Sequence, residues 1–137
     1  NAKKIIQAAI TRMGPKFDAV LAANDGTGGG AIQALLEDDL AGKILVTGQD
    51  AELAACQRIV RGTQAMTIYK PLKQLAFQAA EVAVKMAQKR PIVASSQMDN
   101  GKILVPSILV PVMTVTKENM KTTVIADGFH RQEDVYQ

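Results

Sequence analysis

Two rhythms of apolar residues alternate along the chain. From Asn1 to Met13 they fall at Ile5, Ile6, Ala9, Ile10 and Met13, the spacing of one helical face, and Gly14-Pro15 ends it. Phe17 to Ala23 is a short, largely apolar run and predicts a buried strand. A glycine-rich loop over Asn24 to Gly30 follows, then a helix over Ala31 to Leu40 with Ile32, Leu35 and Leu36 inward. Gly42 closes that helix and Lys43 to Thr47 predicts the next strand. The cycle repeats with a turn at Gly48-Gln49-Asp50. A helix over Ala51 to Val60 comes next, with Leu53, Cys56, Ile59 and Val60 inward; Gly62 stops it and Ala65 to Tyr69 predicts a third strand. Lys70-Pro71 opens a long helix reaching about Lys89, with Leu72, Leu75, Ala79, Val82, Ala83 and Met86 on one stripe. Pro71 suits a first helical turn, where its missing N–H costs nothing.

Beyond Arg90-Pro91 the pattern changes. Ile103 to Val115 is β-rich but carries Pro106 and Pro111, which predicts edge or crossing strand. Lys117 to Gln137 is polar without a sustained period and predicts a surface tail or strap. Continuous apolar strands alternating with helices predict an α/β fold: a parallel sheet with helices on both faces. Three strands make only part of such a sheet. The chain also opens at Asn1 inside a helix, so a missing N-terminal half or a second copy is expected to complete the core.

Composition narrows the classes of function. Of 137 residues, 47% are apolar and 21% charged, so a packed core is expected rather than disorder. The 16 basic and 13 acidic residues are mixed along the chain, with no basic arm for nucleic acid. Cys56 is the single cysteine, which excludes an internal disulfide and a cysteine-based zinc site. His130 is the single histidine and lies in the polar tail, where a surface role is expected. No metal site and no catalytic triad can be assembled from these residues, and no cofactor is called for.

In an open parallel sheet, ligands bind beyond the carboxyl ends of the strands. Asn24 and Asp25 follow the first strand, Gln49 and Asp50 the second, and Lys70 the third. Together they form a convergent set of donors and acceptors suited to a polyol, with Asn24, Asp50 and Lys70 as ligands and Asp25 and Gln49 in support. Charge-assisted hydrogen bonds of this kind are worth about 1.5–3 kcal/mol each. A second reading makes Asn24 and Asp25 caps of a helix starting near Gly28, and Asp50 a cap of the helix from Ala51. Lys70 fits that reading less well, because a cation at a helix N-terminus opposes the dipole and needs an anionic neighbour. Asp50 is the candidate. A third reading comes from Gly26-Thr27-Gly28-Gly29-Gly30-Ala31, which matches the G-x-G-x-x-A pattern of dinucleotide-binding enzymes, with Asp50 as its acidic residue.

The runs VLAANDGTGGGAIQALL (Val20 to Leu36), KILVTGQDAELA (Lys43 to Ala54) and GTQAMTIYKP (Gly62 to Pro71) resemble the D-xylose-binding proteins of ABC transporters, within the type 1 periplasmic binding protein family. KTTVIADGFH (Lys121 to His130) resembles the end of that subfamily. The resemblance implies a non-enzymatic sugar carrier of the periplasm or cell exterior, possessing two α/β lobes joined by three crossings. It implies that Asn24, Asp50 and Lys70 contact the monosaccharide and that the glycines are structural. By the same analogy residues 1–70 are part of the C-terminal, sugar-binding lobe. Residues 71–99 hold a helix packing in the missing N-terminal lobe, and residues 100–137 return as crossing, edge strand and tail. The implied partners are that lobe and a transporter permease. A membrane histidine kinase is the alternative, since sugar sensors share the architecture. Alone, the chain is expected to self-associate or unfold and not to bind sugar.

Overall fold

The computed structural model describes residues 1–137. In chain order its elements are α1 (Ala2–Met13), β1 (Ala19–Val20), α2 (Asp25–Glu37), β2 (Leu45–Val46), α3 (Leu53–Arg61), β3 (Thr67–Tyr69), α4 (Leu72–Ala87), β4 (Ser96–Asp99), β5 (Leu104–Ser107), β6 (Met113–Val115), a π-helical turn (Lys121–Ile125) and α5 (Gln132–Val135). They form two compact units, one of Asn1–Lys70 with Met113–Gln137, the other of Pro71–Val112.

In the first unit β1 pairs in parallel with β2, Val20 opposite Val46. Backbone bonds carry the array onward in the same direction: Ala65 N to Val46 O at 2.9 Å, Ile68 N to Gly48 O at 3.2 Å and Asp50 N to Ile68 O at 2.9 Å. β3 then pairs antiparallel with β6, Thr67 opposite Val115. The regular strands are shorter than the apolar runs that predict them. One reason is that Ala22 N donates to Thr47 Oγ1 at 3.0 Å, so a side chain replaces the carbonyl a longer ladder would use.

Two buried clusters accompany these strands. Ala31, Ile32 and Leu35 of α2 pack with Ile44 and Val46, and Ile6 and Ile10 of α1 lie against them. Cys56 and Ile59 of α3 pack with Tyr69, Val115, Met120, Val124 and Val135. Leu36 and Leu53, expected inward, are 57% and 36% exposed, because the buried stripes run through Leu35 and through Ala55, Cys56 and Ile59 instead. α3 ends as the sequence indicates, with Gly62 left-handed at φ 86.

Two expectations need correction. The glycine run is not a loop: α2 begins at Asp25 and contains Gly26, Gly28, Gly29 and Gly30. The helix starts early because Asn24 and Thr27 form a reciprocal cap. Nor is the C-terminal segment only a surface tail. Met120, Val124 and Val135 are at most 1% exposed and close the cluster around α3. His130 is half-buried there; its Nε2 lies 2.7 Å from Ala51 O and its ring 4.6 Å from that of Phe129.

The second unit contains α4 and the antiparallel hairpin β4–β5, Ser96 opposite Ser107. None of its residues is fully buried. The apolar stripe of α4, with Leu75, Val82 and Met86, faces Ile92 and Ile108 across an open groove of about 480 Å³. No helix in either unit is long and apolar enough to cross a membrane.

Candidate functional site

The strand ends converge in the first unit through consecutive backbone bonds. Asp25 N donates to Gln49 O at 2.9 Å, placing the start of α2 beside the turn after β2. Asp50 N donates to Ile68 O, placing that turn beside β3. Lys70, the first residue beyond β3, then reaches back, and its Nζ lies 2.5 Å from Asp50 Oδ1. This is the anionic neighbour that a lysine at the start of α4 requires. The two side chains remain 40% and 38% exposed. Each keeps capacity to spare, Asp50 its second oxygen and Lys70 two N–H bonds.

Asn24 serves the helix without exhausting itself. Its Oδ1 accepts from Thr27 N at 2.9 Å and from Thr27 Oγ1 at 2.8 Å. The cap therefore occupies the acceptor, while Nδ2 makes no bond within the chain and remains a donor. Asp50, by contrast, does not cap α3: the N-cap residue is Glu52, which makes no side-chain cap bond. Glu52 N is satisfied from elsewhere, by Asp25 Oδ2 at 2.9 Å.

Asp25 differs from the other candidates in being fully buried. Its carboxylate accepts from Glu52 N, from Gln64 Nε2 at 2.8 Å and from Thr67 Oγ1 at 2.9 Å. Arg58 joins this network, with Nη2 on Asp25 O and Nε on Gln64 Oε1, both at 2.9 Å. Burial holds the Arg58 guanidinium below its ordinary pKa, against the nearby Asp25 charge that raises it. Gln49 presents its backbone carbonyl to Asp25, and its side chain is half-buried. Gln64, Arg58 and Thr67 escaped the sequence reading. Arg58 lies in α3, Gln64 in the connection and Thr67 at the start of β3; the signal for the last two is a polar residue in or beside a buried strand, where an unpaired group is costly.

Asp50 and Ala51 both have positive φ, 99° and 50°, in a region that side chains other than glycine seldom occupy. Asp39 and Lys89 are the only other non-glycine residues with positive φ. Backbone strain of this kind persists when the surroundings over-determine it. Tyr69 faces inward, 1% exposed, with its hydroxyl donating to Asp127 Oδ2 and its ring 5.0 Å from Phe129. Burial, then the Asp127 bond, push its phenol up to about 12. It is a core residue and offers no stacking platform.

The glycines have structural work. A Cβ at Gly28 would lie 3.0 Å from Thr47 O, so the glycine lets α2 approach β2 closely. They lie within α2 rather than in a loop before it, unlike the loop that the sequence pattern predicts. No cluster of three or more His, Cys, Asp or Glu side chains is placed to hold a metal ion.

The model of the periplasmic binding protein domain matches residues 1–91. This chain belongs to the periplasmic binding protein family. It is 47% identical over 136 residues to the D-xylose-binding periplasmic protein of Haemophilus influenzae, covering 99% of this chain and 41% of that protein. It is 48% identical over 135 residues to the D-xylose-binding periplasmic protein of Escherichia coli K12, covering 98% and 41%. Among solved structures it resembles a carbohydrate transporter solute binding protein from Chloroflexus aurantiacus in complex with D-glucose. The TM-score is 0.89 at 35% identity, over 97% of this chain and 40% of that one. The chain thus spans about two fifths of these relatives, and its fold is that of one section of a type 1 periplasmic binding protein.

Proposed function

We propose that this chain forms one wall of a monosaccharide site in the substrate-binding component of an ABC importer, acting in the periplasm, with D-xylose as the ligand. The reading is supported by what the similar proteins are named for, D-xylose in two and bound D-glucose in the third. The observation that carries it is the Asp50–Lys70 pair at the strand ends, half-exposed and with unused hydrogen-bonding capacity, with the free amide of Asn24 at the end of the neighbouring strand run. Asp50 accepts hydroxyl protons, Lys70 and Asn24 donate to hydroxyl oxygens, and no covalent step is involved. The remainder of the full-length protein supplies the opposite wall. On this reading it also covers the apolar groove of the second unit, which has no buried residue of its own. Closure over the sugar is a population shift toward the state that binds it better.

Calorimetric titration of the full-length protein with D-xylose tests this, with ribose, glucose and NAD as comparators. Micromolar or tighter xylose binding, weakened about a hundredfold but still measurable in Asp50→Ala, is the expected result. Silence toward every sugar, or heat with NAD alone, would overturn the proposal.

A further inference from the structure

We infer that Asp25 is a positioning residue for sugar binding: from inside the fold, its carboxylate holds the strained turn that aims Asp50 at the ligand. The inference rests on the sugar-site reading above. Asp50 sits between residues that are all tied to Asp25. Before it, Gln49 O accepts from Asp25 N at 2.9 Å. After it, Ala51 N donates to Thr67 Oγ1 at 3.2 Å, and that hydroxyl donates to Asp25 Oδ2 at 2.9 Å. Next, Glu52 N donates to the same Oδ2 at 2.9 Å. One buried oxygen therefore fixes two consecutive amides, one directly and one through a hydroxyl relay. Between these anchors the backbone takes φ of 99° at Asp50 and 50° at Ala51. Released from them, the turn would relax toward ordinary φ, and the Asp50 carboxylate would leave its place against Lys70.

The carboxylate is itself held firmly. Oδ1 accepts from Gln64 Nε2, and Gln64 is oriented by Arg58. The space beside it is closed, since a Cβ at Gly48 would lie 2.0 Å from Oδ1. Asp25 itself is 0% exposed, which leaves no surface of its own to offer a ligand. Its effect on affinity passes through the residues it holds, and the anchors on Gln49, Ala51 and Glu52 point to Asp50.

The test uses the full-length protein and Asp25→Asn, which keeps shape but sets an amide N–H against a donor. The expected result is D-xylose binding weakened about ten- to a hundredfold. Faster amide exchange is expected in peptides spanning Gln49 to Leu53. In an Asp50→Ala background, Asp25→Asn produces no further loss, which a general structural role would not reproduce. Unchanged binding, unchanged exchange, or an equal loss in the Asp50→Ala background would overturn the inference. If Asp25→Asn does not fold, Thr67→Val removes only the relay to Ala51 and should weaken binding about three- to tenfold by the same route. Failure of the parent protein to bind any sugar would instead defeat the sugar reading, and the exchange rates still decide whether Asp25 holds the turn.

Discussion

Gly48→Ala is the most demanding test of the buried network, because only one added methyl is involved. Gly48 is not among the glycines with positive φ, so alanine meets no backbone obstacle there. Space alone decides. The new Cβ would lie 2.0 Å from Asp25 Oδ1, 2.4 Å from Gln64 Nε2 and 3.2 Å from Asp25 Cγ. Both groups would have to move, and neither has anywhere to go. Asp25 is held by Glu52 N and Thr67 Oγ1, while Gln64 is held by Arg58 Nε and by Met66 O, to which its Nε2 donates. Overpacking a full core costs roughly 1–3 kcal/mol. Breaking a buried hydrogen bond and stranding its partner costs about 1–3 kcal/mol more. A destabilisation of about 4 kcal/mol follows. Gly26→Ala is the matched control. It lies exposed in the first turn of α2, with its nearest neighbours at 3.8 and 4.0 Å, so alanine should stabilise by about 0.5–1 kcal/mol. Urea unfolding of both variants of the full-length protein, read by circular dichroism, measures the difference. A Gly48→Ala loss below about 1 kcal/mol would show that the network yields easily, and the account of its rigidity would be wrong.

Asn24→Ser should separate the two roles of that residue: serine preserves the helix cap, so stability changes by less than about 0.5 kcal/mol, while D-xylose binding weakens for want of the amide donor. Thermal melts and calorimetry on one preparation check both. Alkaline pH should destabilise the first unit. Burial, followed by the Asp25 charge, pushes the Cys56 thiol from 9.0 up to about 12, and Tyr69 rises from 10.0 to about 12. The folded state retains these protons where the unfolded chain has lost them. Their contribution is therefore whole below about pH 9 and falls as the pH climbs toward 12. The urea midpoint followed from pH 8 to 11 should fall, and the slope should be shallower in Cys56→Ala.

The sequence exposes this site to the extent that it follows from topology. Apolar runs ending in Asn24, Asp50 and Lys70 identify one sheet edge whatever the details, because parallel strands all finish on the same side. Even the Asp50–Lys70 pair could be expected from the cost of a cation at a helix start. The network beneath was hidden because its members look like surface residues. Gln64 stands in a turn and Thr67 at the start of a strand, and nothing local shows that both are buried against Asp25. The glycines misled for the opposite reason. Their low helix propensity is overridden by the Asn24–Thr27 cap and by the close approach of Gly28 to Thr47 O. In the C-terminal segment Met120, Val124 and Val135 are buried, with Ile125 and Phe129 packed against their cluster, an irregular pattern among polar neighbours that does not predict burial.

On the proposed sugar-site reading, the pairing of Asp50 with Lys70 also bears on what kind of ligand this wall accepts. A lone carboxylate enclosed with a neutral sugar would be an uncompensated buried charge, and its desolvation would oppose binding. Here the opposite charge is already in place at 2.5 Å, so on that reading the pair would enter a closed site with no net charge. Its geometry is set before the ligand arrives, which lowers the ordering cost of association. Because both partners are more than a third exposed in this chain, the pair gains little by itself, and the strength of its bonds to hydroxyls develops only as water leaves. An ionic ligand would gain one partner and be repelled by the other. A neutral polyol can use both, accepting from Lys70 and donating to Asp50, so charge balance alone tilts this wall toward neutral sugars over sugar acids and phosphates.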